Sequence, residues 1–362
     1  MESRPLCIGL ILPAKKLGSI GVFHGIQARA VARNIQLVYI DLGHPIADQG
    51  AFDVIVHKTS ELHLAAIAGT DPAAAAEWPN LVSYATTHPT VRWVDPLASV
   101  EPLQSRTGLH EYLKRAAAAA TSDLFAIPET QVLTVGNQQV ASNANCRKYP
   151  VIVKRDEACS TAASHMMAVA TGPRQWAHLM SGTGLFAPGE QVLAQTLVAH
   201  GGVLFKVYVL GSPAVGIAES AHALARPSIS VHQLPAGDDL DTMLVFDSQG
   251  IPKTFDDSAT KSDRLVDRVF LGSSEAARER ARRQLTEGGG KDGLRYRLQQ
   301  IADALAISLN LTLFGFDAVM GEDDGQLYVV DVNFFPSFSG LDIDFQDVFL
   351  SIVEFVGRSG QN

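Results

Sequence analysis

The chain is poor in cysteine, carries no excess of positive charge and lacks any long apolar run. Its three cysteines are odd in number and lack the spacing of metal ligands, so we expect free thiols in a reducing compartment. The 29 Lys and Arg residues are outnumbered by 38 Asp and Glu, and the net charge of −9 argues against a general nucleic-acid binder, which needs a basic surface. Because no apolar segment reaches bilayer length and no signal-peptide pattern occurs, we expect a cytosolic protein without a membrane span.

Several phosphate-binding and catalytic motifs are absent as well. The sequence contains no G-x-x-x-x-G-K-[ST] loop, no G-x-G-x-x-G after a strand, no H-E-x-x-H and no G-x-S-x-G. A site that handles phosphates must therefore be built from other groups. The chain does have 362 residues with 46% hydrophobic content, which predicts an ordinary globular protein of two or three domains.

The stretch at 313–340, LFGFDAVMGEDDGQLYVVDVNFFPSFSG, predicts two strands joined by the turn Glu322–Gly325. Each strand carries one acid, Asp317 or Asp331, and side-chain alternation places Asn333 on the same face as Asp331. Two carboxylates and an amide oxygen suit Mg²⁺, which prefers oxygen ligands and usually bridges phosphates. The alternative is a hairpin with both acids in solvent. We favour the metal site because an unpartnered aspartate in so apolar a run is costly to bury.

Periodicity divides the chain into three predicted segments. Residues 1–95 alternate strands with helices and predict a small parallel α/β domain. Residues 96–202 predict an α+β unit of antiparallel character, and residues 203–362 a third unit that contains the hairpin. The predicted strands are Leu6–Leu12, Gln36–Asp41, Asp53–His57, Gln131–Leu133, Tyr149–Lys154, His165–Ala170, Gln191–Gln195 and Val203–Leu210. The predicted helices are Ile20–Arg33, Pro72–Thr87, Leu97–Ala120, Ser273–Leu285 and Leu294–Leu309, and the glycine run at 288–290 predicts a surface insertion.

Four lysines lie in or just after predicted strands. Lys154 ends an apolar strand and Lys206 lies in the middle of another, where burying an unpaired ammonium is expensive. The alternatives are a strand-end charge in water for Lys154 and an exposed edge strand for Lys206. Lys16 and Lys58 both lie just beyond the ends of predicted strands, so we expect them to be neighbours in a parallel sheet. Lysines that hold phosphates beside acids that hold magnesium suit phosphoryl transfer, and without a phosphate loop they indicate an ATP-grasp architecture.

Three weaker signals accompany the lysines. Gln195 at a strand end suits a hinge beside a nucleotide base, and Arg226-Pro227-Ser228 suits a phosphate. The alternative for Arg226 is a solvated surface charge, and His165 taken alone is more often a packed histidine than a ligand.

Seven segments together resemble the inositol 1,3,4-trisphosphate 5/6-kinase family, also called inositol-tetrakisphosphate 1-kinases. They are VIVHK (54–58), VDPLASVEPLQSR (94–106), YPVIVK (149–154), SH (164–165), AQTLVAHGGVLFKVYVLG (194–211), RPS (226–228) and LFGFD with VVDVNFFPSF (313–338). The matches keep the family order over nearly the whole chain. The resemblance implies an ATP-grasp fold in which the N-terminal α/β domain is followed by two α+β domains that clasp ATP. It also implies Mg²⁺-dependent phosphorylation of an inositol polyphosphate hydroxyl.

The resemblance implies a role for each matching residue. The residues that would contact ATP are Arg106, Lys154, Gln195, Lys206, Ser228 and Ser248. Those that would hold Mg²⁺ are Asp317, Asp331 and Asn333. Those that would line the inositol phosphate site are Lys16, Lys58, His165, Lys206, Arg226, Asn333 and Ser337. Catalysis would rest on Lys206, Arg226 and Asp331.

The chain departs from the family pattern mainly on the inositol side. Ser105, Thr107 and Gly108 replace an acid and a serine-lysine pair, Asp156 and Glu157 would bring negative charge near an anionic substrate, and Ser337 replaces a glycine. Two alternatives therefore stay open. One is an ATP-grasp ligase that joins a carboxylate to an amine, and the other is a degenerate relative that binds inositol phosphates or nucleotide as a regulator. We expect a monomer whose partners are small inositol phosphates and not nucleic acid.

Overall fold

The computed structural model describes most of the chain. The described residues are 4–13, 25–120, 123–137, 148–158, 162–211, 222–229, 234, 237–248, 279, 283, 285, 293–338, 341 and 343–359. Helices and strands are numbered in chain order within these residues. They form three sheets, one parallel and two antiparallel.

The first sheet is parallel throughout, as the alternation of strands and helices in residues 1–95 predicts. Its strands are β1 (Leu6–Ile11), β2 (Ile35–Tyr39), β3 (Val54–His57) and β4 (Arg92–Val94), in the spatial order β2-β1-β3-β4. Every residue of β1 and β3 is buried, as expected for central strands of a parallel sheet. The sequence does not predict β4, because three residues are too few to show a period.

Four helices pack around this sheet. They are α1 (Ile26–Ala32), α2 (Ser60–Ala68), α3 (Pro72–Thr87) and, from the far end of the chain, α8 (Phe345–Arg358). The bounds predicted for α3 are confirmed, because Pro72 opens the helix and the Asp71 carboxylate accepts a hydrogen bond from the Ala73 N–H. α1 begins at Ile26, after its N-cap Gly25, within the helix predicted at Ile20–Arg33, and residues 20–24 of that prediction lie outside the described residues. α2 and α8 were not predicted, and α8 packs on β1 so closely that Gly357 lies against Leu6.

The single helix predicted at Leu97–Ala120 is wrong, because the chain breaks twice within it. The segment contains α4 (Leu97–Val100), a 3-10 turn (Glu101–Gln104) and α5 (Arg106–Ala119). Pro102 has no backbone N–H with which to continue an α-helix. Ser105 is extended (φ −117°, ψ 136°), and its hydroxyl accepts a hydrogen bond from the Gly108 N–H. The break gives Arg106 a position in the first turn of a new helix.

The second sheet is antiparallel, as predicted for residues 96–202. Its strands are β5 (Thr130–Thr134), β6 (Val151–Arg155), β7 (Met166–Ala170), β8 (Gln191–Thr196) and β11 (Leu244–Asp247), in the order β11-β7-β6-β8-β5. Helix α6 (Pro173–Met180), which was not predicted, packs its fully buried Trp176 on this sheet. The Asp238 carboxylate caps α6 by accepting hydrogen bonds from the N–H groups of Arg174 and Gln175. The strand β11 comes from the segment after residue 202, so this sheet combines two of the predicted segments.

The third sheet contains the predicted hairpin and is antiparallel throughout. Its strands are β9 (Val203–Leu210), β10 (His222–Ile229), β12 (Leu313–Met320) and β13 (Leu327–Phe334), in the order β10-β9-β12-β13. Because β9 has a neighbour on each side, the alternative of an exposed edge strand for Lys206 is wrong. The unpredicted β10 lies at the edge, where a strand tolerates Pro227, which has no N–H to donate.

One hydrophobic core joins the first sheet to the third. It contains Ile8 and Val56 of the first sheet, Phe314 and Val329 of the third, and the buried face of α7 (Leu294–Leu309). The second sheet has a separate core around Trp176. This division leaves room for a cleft between the second sheet and the rest. The domain boundaries at 95/96 and 202/203 stay a prediction.

Two predicted features lie outside the described residues. They are the helix at Ser273–Leu285, apart from the helical positions Glu279, Arg283 and Leu285, and the glycine run at 288–290. Among the helices that the structure describes, none combines the length and apolar content needed to cross a bilayer.

Candidate active site

A row of charged residues crosses the third sheet. Lys206 on β9 is the register partner of Asp317 on β12, which is in turn the partner of Asp331 on β13. Directly paired residues project from the same face of an antiparallel sheet, so the three side chains lie together. The Lys206 Nζ donates a hydrogen bond to Asp317 Oδ2 at 2.9 Å. On β10, the backbone of Arg226 pairs with Lys206 and extends the row, although its side chain lies outside the described residues.

The row places two carboxylates beside one ammonium. Burial disfavours the ammonium, but attraction by Asp317 and then by Asp331 outweighs burial and raises the pKa of Lys206. Burial also raises the pKa of the Asp317 carboxyl, with Lys206 opposing this effect and Asp331 adding to it. Two carboxyl groups side by side in a partly buried site favour a further cation. The row therefore has the electrostatics of a cation-binding site.

The donor set at this row fits Mg²⁺. Asn333 lies two residues beyond Asp331, and its amide nitrogen is 3.3 Å from Asp331 Oδ2. Two carboxylates and a side-chain amide are oxygen donors of the kind Mg²⁺ takes, and this ion fills its other positions with water and phosphate oxygens. Within the part of the chain that the structure describes, no group of three or more His, Cys, Asp or Glu side chains is arranged to hold a metal.

Lys154 approaches the row from the second sheet. Its Nζ donates a hydrogen bond to Gln195 Oε1 on β8 at 2.9 Å, and Gln195 donates in turn to Thr130 Oγ1 at 3.2 Å. Burial lowers the pKa of Lys154 to about 8, although the nearby carboxylates of Asp331 and Asp317 oppose that effect. The alternative of a strand-end charge in water is wrong, because β6 continues past Lys154 and the ammonium points into the protein.

The two antiparallel sheets and α5 border a cleft. Half of its lining is polar (Arg106, His110, Lys154, Gln195 and Asp331) and half is aliphatic (Leu109, Leu113, Ile127, Leu193 and Val330). An apolar wall suits a planar ring, and convergent cations suit phosphates, so the lining has the composition of a nucleotide site.

Arg106 anchors the loop that follows β6. Its Nη1 donates hydrogen bonds to the carbonyl oxygens of Arg155 at 2.8 Å and Glu157 at 2.5 Å, and its Nη2 to that of Ser164 at 3.2 Å. The guanidinium therefore holds both ends of this loop at the rim of the cleft. Its position beside Lys154 also contributes to the lowered pKa of that lysine.

Asp156 caps helix α5. Its carboxylate accepts hydrogen bonds from the Ser105 hydroxyl at 3.0 Å and the Thr107 N–H at 2.8 Å, and its own carbonyl accepts one from the Arg106 N–H at 2.7 Å. The negative charge at this position therefore lies at a positive helix end. That this acid lies near an anionic substrate stays a prediction, and in the structure its carboxylate caps α5.

Lys58 brings the first sheet to the end of the hairpin. Its Nζ donates hydrogen bonds to the carbonyl oxygens of Phe334 at 2.5 Å and Phe335 at 3.0 Å, directly after Asn333. At the edge of the second sheet, the Ser248 N–H donates to the His165 carbonyl oxygen at 2.9 Å. Of the remaining predicted residues, Ser337 is exposed near the hairpin. Lys16 and the side chains of Arg226 and Ser228 lie outside the described residues.

Sequence reasoning missed two residues near this site. His110 lines the cleft, and its signal was available, because it lies one helical turn after Arg106 on α5. Asp95 carried no comparable signal. Its buried carboxylate accepts hydrogen bonds from the backbone N–H groups of Thr312 at 2.7 Å and Leu313 at 3.0 Å, across more than 200 residues of sequence.

Comparison with known families decides the relationship. Residues 7–100 match the inositol 1,3,4-trisphosphate 5/6-kinase pre-ATP-grasp domain, and residues 119–355 match the ATP-grasp domain of the same name. The chain belongs to the inositol 1,3,4-trisphosphate 5/6-kinase family. This confirms the resemblance drawn from the seven sequence segments.

Curated relatives in this 5/6-kinase family match along nearly the whole chain. The inositol-tetrakisphosphate 1-kinase of Xenopus laevis is 26% identical over 358 residues, covering 98% of this chain and 80% of the relative. Inositol-tetrakisphosphate 1-kinase 1 of Zea mays is 27% identical over 362 residues, covering 98% and 91%. At this level of identity the relatives support the family and leave the substrate open.

Solved structures confirm the ATP-grasp fold of this 5/6-kinase family member. D-alanine–D-alanine ligase from Bacillus anthracis superimposes with a TM-score of 0.54 at 10% identity, covering 99% of both chains. The same ligase complexed with ATP gives a TM-score of 0.51 at 11% identity, again covering 99% of both. D-alanyl-alanine synthetase A from Vibrio cholerae gives 0.54 at 11% identity, covering 98% and 99%.

Proposed function

We propose that this protein transfers the γ-phosphoryl group of ATP to a hydroxyl of an inositol polyphosphate with the help of Mg²⁺. The observation that carries the proposal is the row of Lys206, Asp317 and Asp331, which the buried ammonium of Lys154 approaches from the opposite sheet. Family membership and the ATP-grasp fold support the same conclusion. Phosphoryl transfer depends mainly on positioning and charge neutralisation, which such a row supplies.

ATP would occupy the cleft between the two antiparallel sheets. The aliphatic wall suits the adenine ring, and Lys154 and Arg106 lie where they can meet the phosphates. Gln195, which now holds the Lys154 ammonium, would keep that side chain aimed into the cleft. On this proposal Ser228 and Ser248 also contact the nucleotide.

Asp317, Asp331 and Asn333 would hold Mg²⁺. When bound, Mg²⁺ neutralises charge on the phosphates and orients them for in-line transfer. The residues of this chain do the rest. Lys206 compensates the negative charge of its paired acid, and its ammonium would counter the charge that develops on the transferred group.

The inositol phosphate would bind between the first sheet and the hairpin. On this proposal Lys16, Lys58, His165, Arg226 and Ser337 line that side and neutralise the ring phosphates. Support comes from Lys58, whose ammonium already reaches the backbone just beyond Asn333. A loose transition state spreads charge over the transferred group, so cations on both sides of it contribute more than a strong base would.

The test is a panel of purified inositol phosphates incubated with the protein, ATP and Mg²⁺, with the products separated by isomer. We expect one or a few isomers to gain a phosphate with stoichiometric ADP. ADP formed only in the presence of a carboxylate and an amine would mean that the protein is a ligase and not a kinase. Binding of Mg·ATP without ADP formation across the whole panel would replace it with a nucleotide-binding regulator.

A further inference from the structure

The ends of two neighbouring strands in the first sheet carry opposite charges into the third sheet. Asp95 follows β4, is 1% exposed, and its carboxylate accepts hydrogen bonds from the N–H groups of Thr312 at 2.7 Å and Leu313 at 3.0 Å. A carboxylate can only accept hydrogen bonds, and here each of its two oxygens accepts one from a backbone N–H. The two donors lie where β12 begins, five and four residues before Asp317.

Lys58 makes the opposite kind of contact at the other strand of the hairpin. Its ammonium, which only donates, meets the carbonyl oxygens of Phe334 and Phe335, where β13 ends. Phe334 lies three residues after Asp331 and directly after Asn333. In the first sheet, the Asp95 carboxylate therefore binds the start of β12 and the Lys58 ammonium binds the end of β13.

His57 connects the two charged residues. It is fully buried, with Nε2 2.6 Å from the Asp95 carbonyl oxygen and Nδ1 2.9 Å from Thr59 Oγ1. Because a carbonyl oxygen cannot donate, Nε2 carries the proton and Nδ1 accepts from the threonine hydroxyl. We call His57, Lys58 and Asp95 the strand-end clasp.

The clasp acts on a point where three strands meet. The Thr312 carbonyl accepts a hydrogen bond from the Gly211 N–H at the end of β9, and the Leu313 carbonyl accepts one from the Phe335 N–H at the end of β13. β9, β12 and β13 carry Lys206, Asp317 and Asp331. A shift of this point would move the three charged residues relative to one another.

We propose that the strand-end clasp sets the geometry of the metal-binding hairpin, with Asp95 and Lys58 as positioning residues. Lys58 thus has a role before any inositol phosphate arrives. The inference rests on the proposed function in one respect, namely that the hairpin holds a divalent ion. Groups that orient metal ligands without touching the metal commonly change metal affinity by one or two orders of magnitude.

The experiment measures Mn²⁺ binding in the presence of ADP and the absence of inositol phosphate, with free Mn²⁺ followed by electron paramagnetic resonance. Asp95→Asn replaces one acceptor by an NH₂ group that faces a backbone donor. Lys58→Met keeps the length of the side chain but donates to neither carbonyl. Val54→Ala, on β3, is the matched control, because it removes core methyl groups and no clasp hydrogen bond.

We expect Asp95→Asn and Lys58→Met to weaken Mn²⁺ binding about tenfold, while Val54→Ala leaves it within about twofold of wild type. The Lys58 result is decisive, because removing a cation near a metal site by charge alone would tighten Mn²⁺ binding. Unchanged or tighter binding in Lys58→Met would overturn the inference, as would equal weakening in Val54→Ala. Wild-type protein that binds no Mn²⁺ would overturn both the inference and the proposed metal site.

Discussion

Asp95 is buried and Asp317 is half-buried, and burial raises the pKa of both carboxyl groups, yet their surroundings differ. Both oxygens of Asp95 accept hydrogen bonds from backbone N–H groups. Asp317 instead faces one lysine, Lys206, and a second acid, Asp331. The first arrangement is complete within the protein, whereas the second places two carboxylates side by side.

This difference separates a structural acid from a functional one. Asp95 is 1% exposed and accepts hydrogen bonds from the backbone of another sheet, so it ties two sheets together and is not open to a ligand. An acid beside another acid is stabilised by a cation from outside the protein. Changing Asp331 should therefore act directly on turnover, whereas changing Asp95 should act on stability and, through the position of the hairpin, on metal binding.

The largest effect is expected for Asp331→Asn. This change should lower kcat/KM by about 10³-fold, equivalent to about 4 kcal/mol, because a metal-holding carboxylate is lost. The melting temperature should stay the same or rise, since repulsion of Asp317 disappears. The matched control is Asp323→Asn in the exposed turn of the same hairpin, which removes an equal charge and should leave turnover unchanged. More than a tenth of wild-type activity in Asp331→Asn would contradict the assignment.

The strand-end clasp should give the free energy of unfolding two opposite pH dependences, each of about 3 kcal/mol. Burial lowers the pKa of His57 to about 4, so the folded state binds fewer protons than the unfolded state between about pH 4 and 6.5, and stability rises with pH. Burial raises the pKa of Asp95 to about 6, so the folded state binds more protons between about pH 4 and 6, and stability falls with pH. In wild-type protein the two contributions nearly cancel.

Single variants separate these contributions. In His57→Gln only the Asp95 contribution remains, so the free energy of unfolding of this variant should fall, relative to that of wild type, as the pH rises from about 4 to 6. Asp95→Asn leaves the His57 contribution alone, so its stability should rise over about pH 4 to 6.5. Urea denaturation at each pH measures both slopes, and parallel curves for the two variants would show that these groups do not titrate as the structure indicates.

A smaller effect is expected at Lys154, which lies near Asp331 and Asp317. Burial lowers its pKa to about 8, so the free protein loses this ammonium as the pH rises through that value. The kcat/KM for Mg·ATP should then fall about tenfold per pH unit above pH 8, equivalent to about 1.4 kcal/mol. Lys154→Arg stays charged and should lack this alkaline fall, even if its absolute rate is lower. An identical fall in Lys154→Arg would assign the titration to another group.

The smallest effect is expected at Asp156, a structural acid at the rim of the cleft. Asp156→Ala removes the acceptor for the Ser105 hydroxyl and the Thr107 N–H and should cost about 1 kcal/mol of stability. It should also raise the Kd for ATP several-fold, because the start of α5 carries Arg106. Asp238→Ala removes a similar cap from α6 and should cost as much stability without changing the Kd. Equal Kd changes in both would mean that only global stability is involved.

Local patterns in the sequence predict much of the fold. The strands β9, β12 and β13 and the helices α3 and α7 follow from periodicity, turn residues and caps, all of which act over a few residues. The single helix predicted at Leu97–Ala120 is wrong, because its alanine run outweighs Pro102 and Ser105 in a propensity count. The strands β4, β10 and β11 were missed, because short strands are defined by their partners more than by their own residues.

The candidate site was predictable where its geometry is local. Two acids on paired strands of one hairpin face each other in any structure that forms the hairpin, since side chains alternate with a period of two. Lys206 facing Asp317 was less certain, because the register between β9 and β12 is set across about 110 residues. His110 was missed although its helical spacing from Arg106 contained the necessary information.

The sequence by itself determined the family, the hairpin acids and the lysines in the strands, because each of these depends on residue types at short spacing. Only the tertiary structure decided which acids are satisfied. Asp95 and Asp331 each follow or lie in an apolar strand, and nothing local distinguishes them. What distinguishes them is the partner that the fold brings, two backbone N–H groups for Asp95 and a second carboxylate for Asp331. Partners so distant in sequence are set by how whole sheets pack against one another.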